Sequence, residues 1–436
     1  MKSKVLFLAA LAVLVSCAAM AQEEKPAHFK LYGFIRNYTV LDTRAVNGGT
    51  HDLYFYMPKG VSLNSEGTDL NAGLNWKSLS LTTRLGVDMS GYKLGPMNVA
   101  GKVEADFYSL NGSTAASTIA QLRLRLAYMS LYWDNAGAPQ NRLTLTVGQA
   151  WHPMAADMPH ITNLETGAPF NPFNRSPQMM LSYKAGKFTL TGGVLYLSQY
   201  LPTGPNGKSV EYYKNGFPEV YMGVAFKSGG FTGKVGATMI NTKPYSTVSE
   251  LDGTGAVAKD AEGLPKTFKA GGILTAVTPF VFLQYSKNMF QLRAKATLAS
   301  SGEHMNLLSG YGVSGYDAAT RTYSYTPMRD FVSFISFQYG KEFQVLGMAG
   351  YMKQLGTTAD LLGNSLWINT AADTSIQQAF RVTPTLVWNV GKLTISLEYD
   401  FTTAWFGTGA RDSRGLYSTG QWISNHRIVN MFKFNF

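Results

Sequence analysis

The sequence predicts an all-β protein, a transmembrane antiparallel β-barrel of about sixteen strands with short periplasmic turns and long extracellular loops. Three observations predict it. Hydrophobicity alternates with a period of two through most of the chain. Tight turns and long polar connections take turns in joining the alternating segments. The chain is also poor in charge without being apolar enough for membrane helices: of 436 residues 15% are charged and 45% hydrophobic, where soluble domains carry about 25% charged residues. No segment beyond the N-terminus approaches eighteen uninterrupted apolar residues, which excludes transmembrane helices. A closed barrel is the other structure that satisfies every backbone group in lipid.

The N-terminus has the form of an export signal, residues 1–21. Lys2 and Lys4 precede the apolar run Val5 to Val15, and Ala19-Met20-Ala21 fits a small-residue cleavage site. A second possibility is the lipoprotein-like LVSC, Leu14 to Cys17, in which Cys17 would be lipidated. The chain is exported on either reading. Cys17 is its single cysteine, so no disulfide staples the segment from Gln22 to Phe436. Lys and Arg total 38 against 27 acids; removing Lys2 and Lys4 leaves an excess of about nine cations, which points to anionic partners. Nucleic acid is excluded, because no basic run or basic helical stripe occurs.

The strands follow from side-chain alternation, since successive residues of a strand point to opposite faces. In SLSLTTRLGVD, Leu79, Leu81, Thr83, Leu85 and Val87 share one face, and Ser80, Thr82, Arg84 and Asp88 the other. NRLTLTVG, KFTLTGGVLYL, MFQLRAKATLA and KLTISLEYDF repeat the pattern. Short turns are expected around Tyr92 to Pro96, Asp134 to Gln140, Ala185-Gly186, Ser228 to Gly230, Lys287-Asn288, Gly340-Lys341 and Val390-Gly391. Long loops are expected from Leu41 to Lys77, Leu110 to Ser117, Trp151 to Pro177, Tyr200 to Pro218, Thr242 to Lys269, Ser301 to Met328, Gly356 to Gln377 and Gly407 to Asn425. Seven turns and eight loops make fifteen connections, hence sixteen strands. Loops of this length are unusual in a compact soluble domain. Tyr132-Trp133, Trp151, Tyr196, Tyr200, Tyr285, Phe337, Tyr339, Trp388 and Trp405-Phe406 fall near strand ends, as interfacial girdles require. The final segment RIVNMFKFNF alternates Phe432, Phe434 and Phe436 with Lys433 and Asn435; it resembles the C-terminal strand of Gram-negative outer-membrane proteins.

Energetics decides which face is which. In LRLRLAYMSLYW, Leu122, Leu124 and Leu126 are assigned to lipid and Arg123 and Arg125 to the lumen. A charge on the lipid face at mid-depth costs about 2–4 kcal/mol, and a wide barrel has a wet interior. The same phase puts Arg36, Arg84, Arg293, Lys295, Arg381 and Arg427 inside, with the acids Asp88, Glu104, Asp106, Glu398 and Asp400. These charges either pair across strands as wall or leave a basic lumen that selects anions. The Pro- and Phe-rich loop 151–177 follows the fifth strand. It is expected to fold inward as a constriction loop, with Asp157, Glu165 and Arg175 at the narrowing.

At this point a family resemblance emerges. TTRLGVDMSG, GKVEADFY, LRLRLAY and LTLTVGQAWHP resemble, in this order, the first part of DcaP-like trimeric porins. Leu126 stands where that family often has His, and Thr83 where it often has Ser. The resemblance implies a homotrimer of sixteen-stranded barrels in the cell outer membrane that prefers small anionic solutes such as dicarboxylates. The family commonly adds an N-terminal helical or coiled-coil segment, whereas only Gln22 to Ala27 stand before the first expected strand here.

Signs of catalysis are weak. GYGVSG, Gly310 to Gly315, fits GxGxxG, but it falls in an expected loop with no helix after it. His152 and His160 lack an evident third metal ligand, and there is no G-x-S-x-G elbow. We therefore expect no enzyme, cofactor or metal. The expected function is a porin: a water-filled channel for passive diffusion of small hydrophilic, anionic solutes. The alternative is a barrel with a plugged lumen that serves as a surface binding or adhesion platform.

Overall fold

In a computed structural model, residues 28–108, 120–200, 204–205, 217–252, 256–369 and 373–436 are described. The export signal lies outside these residues. Sixteen strands among the described residues form one closed antiparallel barrel. They are β1 (His28–Arg44), β2 (in two parts, Ala72–Leu79 and Arg84–Leu94), β3 (Met97–Tyr108), β4 (Gln121–Asp134), β5 (Arg142–Trp151), β6 (Arg175–Ala185), β7 (Phe188–Leu195) and β8 (Phe217–Ser228). These continue as β9 (Phe231–Thr242), β10 (Leu274–Lys287), β11 (Phe290–Ser300), β12 (Thr322–Gly340), β13 (Phe343–Thr357), β14 (Ile376–Val390), β15 (Leu393–Arg411) and β16 (Tyr417–Asn435). All seven expected tight turns join strands where the sequence places them. The last strand closes the ring on the first, in a register that includes Phe34↔Asn435, Thr39↔Asn430 and Asp42↔Arg427.

Two breaks in alternation correct the face assignments. β2 is interrupted at residues 80–83, with Thr82 at a φ of 68°. Leu79, opposite inward Tyr38, and Leu81 both lie in the interior with Val40 and Val429, and only after the interruption does Leu85 face outward. In β4 the pairing slips between Leu126↔Glu104 and Leu124↔Ala105, so Arg125 is an extra, bulged residue. Leu122 and Leu124 face outward, but Leu126 is buried on the inward side opposite Glu104. A period-two reading cannot see a one-residue bulge, and every side chain beyond it changes face.

Two glycines of the resembling motifs have steric reasons. A Cβ on Gly86 would lie 2.3 Å from the Tyr32 ring, which reaches across to hydrogen-bond Glu104. Gly148 has a φ of +124°, and a Cβ there would meet the Ala127 carbonyl oxygen at 2.3 Å.

The interior is less polar than the sequence suggested. Loop residues Tyr56, Met57, Met154, Ile161, Phe170, Met305, Leu307 and Leu308 pack against inward wall residues such as Phe280, Phe334, Met348 and Phe406 in one buried apolar cluster. Loops enter the barrel because the wall offers them both apolar surface and charged anchors. Gly310 to Gly315, expected in a loop, begins the short strand Gly310–Asp317.

Candidate functional site: an arginine cluster beside the infolded loop

Adjacent strands β1 to β4, with β6, bring five arginines to one side of the lumen. Arg36 donates from Nε and Nη2 to Thr82 Oγ1 at 3.1 and 2.8 Å, and its Nη1 lies 3.5 Å from Glu165 Oε2. The break in β2 supplies that threonine. Arg84 Nε is 3.6 Å from Glu104 Oε1. Arg123 forks onto Asp106 with two 3.0 Å bonds. The bulged Arg125 bridges Glu104 at 2.7 Å and Asp106 at 2.8 Å. Arg175 differs from the other four. Its guanidinium stacks over Trp151 and Phe173, at 5.1 and 5.6 Å from the ring centres, and its buried Nε and Nη1 meet no acceptor among the described residues.

Arg36, Arg84, Arg123 and Arg125 line a cavity of about 200 Å³ together with Tyr54 and Tyr200. Five arginines face three carboxylates here, Glu104, Asp106 and Glu165. Glu165 stays ionised. Burial acts to raise its pKa, but Arg36, Lys433 and Arg84 outweigh it and bring it down to about 2. Its side chain is nonetheless 43% exposed inside the barrel, so its ion pairs are partly screened.

The other expected lining cations hold loops. Lys295 donates to the Met154 carbonyl and to Asn171 Oδ1, and Arg293 donates to the Met158 carbonyl at 2.7 Å. Arg381 reaches Thr402, the carbonyls of Ala168 and Tyr56, and Asp400 at 3.4 Å. Arg427 forks onto Asp42 and caps the carbonyls of Asp52 and Leu53. These cations satisfy backbone oxygens that an infolded loop leaves without partners. Asp157 pairs with Lys234 at 2.6 Å. It therefore sits across the lumen from Glu165, which pairs with Arg36 and Lys433 on β1 and β16, while Arg175 on β6 pairs with neither acid, so the three expected constriction residues do not converge. Loop 152–174 is fixed from many sides: Glu398 accepts from the Thr162 and Asn163 amides, and Tyr38 donates to the Thr162 carbonyl.

His152 has partners that its sequence neighbourhood did not show. His152 Nε2 lies 3.0 Å from Glu219 Oε1, and His304 Nε2 lies 3.4 Å from the same oxygen, all three residues being buried. His152 Nδ1 accepts the Met154 amide at 3.1 Å. A neutral His152 therefore carries its proton on Nε2 and donates it to Glu219, which makes the group a hydrogen-bonded lock between the loop root, β8 and the 303–305 turn. Burial opposes protonation of His304, but Glu219 raises its pKa. His160 lies elsewhere, held through its amide to Ser336, with a pKa lowered to about 4 by burial and Arg293.

Sequence reasoning missed Thr82, Trp151 and Tyr200 as site residues. The two aromatics were expected in the girdles, but they lie inside, beside Arg175 and the cavity. The string WHPMAADMPH held a signal, since it continues a strand straight into a loop that the barrel then swallows.

No protein-family profile matches the chain, and no curated protein sequence does. Solved structures do. The outer membrane channel DcaP of Acinetobacter baumannii superposes with a TM-score of 0.61 at 15% identity, covering 96% of this chain and 100% of that one. Outer-membrane-expressed OmpT of Vibrio cholerae gives 0.51 at 11% identity, with 96% and 100% covered. At such identities the likeness speaks to architecture, and on that ground the chain has the sixteen-stranded transmembrane barrel fold of the DcaP channel.

Proposed function

We propose that the protein is an outer-membrane channel, not an enzyme, through which small hydrophilic anions diffuse passively past the arginine cluster and the infolded loop. The observation that carries this reading is the cluster itself, and above all Arg175, a buried cation with ring contacts but no carboxylate partner among the described residues. Arg36, Arg84, Arg123 and Arg125 line the cavity and raise the local concentration of a passing anion, and Arg175, buried against Trp151 and Phe173, adds its charge to that field. No cofactor is required and no energy is coupled. The chain is proposed to work as a homotrimer in the outer-membrane bilayer, and Asp157, Glu165 and Arg175 are the proposed loop contribution to the narrowing.

The test is conductance of the purified protein in a planar bilayer under a salt gradient. Stepwise openings with an anion-side reversal potential support the proposal. A second reading rests on the apolar cluster inside the barrel: a plugged barrel used as a binding platform. Absence of conductance from correctly folded, inserted protein favours that reading.

A further inference from the structure

The outward face of the barrel carries a slot along β13, where small side chains stand between bulkier neighbours. Register sets Leu292, Phe337, Gly347 and Pro384 in one row across β11 to β14, and Ala294, Ile335, Ala349 and Val382 in the next. Ile335 and Phe337 form one ridge, and Val382 and Pro384 the other. Between them lies an apolar groove of about 360 Å³, floored by β13 from Val345 to Ala349. The Phe337 ring leans over Gly347 so closely that a Cβ there would meet it at 2.5 Å. The groove begins just inside the rim of short turns. Tyr339, Phe343 and Trp388, each about half exposed, mark the aromatic girdle at that end. From Val345 to Ala349 the groove follows about 13 Å of strand, comparable with the about 15 Å of hydrocarbon in one leaflet.

The rim beside the groove is basic. Lys341 stands in the turn between β12 and β13, and Lys392 in the turn between β14 and β15. Asn389, at the end of β14, donates to the Lys341 carbonyl at 3.4 Å and to the Glu342 carbonyl at 2.8 Å, which holds the Lys341 turn against the mouth of the groove. Both lysines are exposed and have no ion pair among the described residues; Glu342 is the acid beside them. Lys93, Lys187, Lys227 and Lys287 stand exposed at other short turns, so the wider rim is basic too. An apolar groove asks for hydrocarbon, and cations at its mouth ask for an anion. An anionic phospholipid carries both, joined across this same boundary. The short turns face the periplasm, which fixes the leaflet. We propose that the groove along β13 holds an acyl chain of an anionic phospholipid of the periplasmic leaflet, with its phosphate at Lys341 and Lys392. The site follows from the membrane barrel alone and does not depend on whether the lumen conducts.

The test is native mass spectrometry of the full chain in mild detergent, after incubation with equal amounts of phosphatidylglycerol and phosphatidylcholine. A retained lipid is expected, with phosphatidylglycerol preferred by about fivefold or more, since each lysine near an anionic surface is worth about a factor of five. Ala349→Phe fills the groove and is expected to lose that lipid. Val382→Trp fills it from the other side and stands in if Ala349→Phe does not give the heat-modifiable gel mobility of a folded barrel. Lys341→Gln with Lys392→Gln is expected to keep a lipid and lose the preference. Val235→Phe, at an outward position on β9, should change neither. The proposal is overturned by a wild type that retains no lipid, by one that retains the two lipids equally, or by a filled groove that still holds its lipid. It is also overturned if Ala349→Phe loses assembly and keeps lipid, which would assign the groove to a second copy of the chain. A wild type that retains phosphatidylglycerol but never conducts removes the channel reading and leaves this site standing.

Discussion

Replacing Arg175 with Ala removes a cation that, among the described residues, has no carboxylate in ion-pair contact, with Asp106 acting on it only from a distance. The cost to a passing anion follows from Coulomb's law. At about 5 Å, the distance at which this guanidinium already sits from the Trp151 ring, the attraction is about 0.8 kcal/mol at bulk-water screening and about 3.3 kcal/mol at an effective dielectric near 20. The lumen is wet and the guanidinium buried, so the real value lies between. Even the lower bound is about a fourfold change in anion occupancy at the site. The Debye length is about 10 Å at 0.1 M salt, so the effect survives in ordinary recording solutions and shrinks toward 1 M. Arg175→Ala is therefore expected to move the reversal potential toward zero under a fixed salt gradient, with conductance retained, and Arg175→Lys to restore most of it. Arg123→Ala is the control, because Arg123 is already forked onto Asp106 and Arg125 remains to hold that carboxylate. Its effect on selectivity should be smaller. If Arg175→Ala conducts with unchanged selectivity, or if Arg123→Ala moves it further, the proposal that the unpaired arginine is the main source of anion selectivity is wrong.

Glu165→Gln removes a carboxylate that faces Arg36 and Lys433, so anion selectivity should rise, read again as a reversal potential. The pH dependence has a definite sign: Glu165 is held down to about 2, so its ion pairs are fully formed above the ordinary carboxylate range and are lost only as pH falls through about 2. Selectivity should thus be flat on acidification through the usual titration range of a free glutamate, and a midpoint within that range would contradict the structure. Lys295→Met leaves the Met154 carbonyl and Asn171 without their charged donor, a loss of about 1.5–3 kcal/mol for a charge-assisted bond. It should lower the thermal unfolding midpoint and increase proteolysis within loop 152–174. Gly86→Ala drives a methyl into the Tyr32 ring at 2.3 Å and should reduce the folded, heat-modifiable fraction, with Tyr32→Ala in the same chain recovering part of it.

The barrel was legible because its information is redundant. Turns such as Ala185-Gly186 and Val390-Gly391 punctuate the chain at regular intervals, and sixteen alternating segments each repeat the same message. Its errors sit where one residue breaks the period. Alternation places Leu79, Leu81 and Leu126 on the outer face because the interruption at 80–83 and the bulge at Arg125 are local backbone events with no compositional mark. Both breaks lie beside the arginine cluster, one supplying Thr82 to Arg36 and the other Arg125 to Glu104 and Asp106. The site was built where the strand rule fails.

The same distinction explains why the inward cations could not be sorted from sequence. Arg36, Arg84, Arg293, Lys295 and Arg381 all occupy inward phases, and alternation treats them alike. What divides them is where the loops land. Loops on the β10 to β14 side bring carbonyls of Met154, Met158 and Ala168 against the wall, and cations there become anchors. On the β1 to β4 side the loop touches the wall at Tyr38 and contributes Glu165, beside a cavity bordered by arginines. A lone inward Arg is thus ambiguous in a way that a backbone partner resolves: where carbonyls fill its donors it is part of the scaffold, and where they do not, as at Arg175, its charge is left unspent by the scaffold. That criterion ranks the basic residues for mutagenesis, placing Arg175 first and Arg381 and Arg427 last.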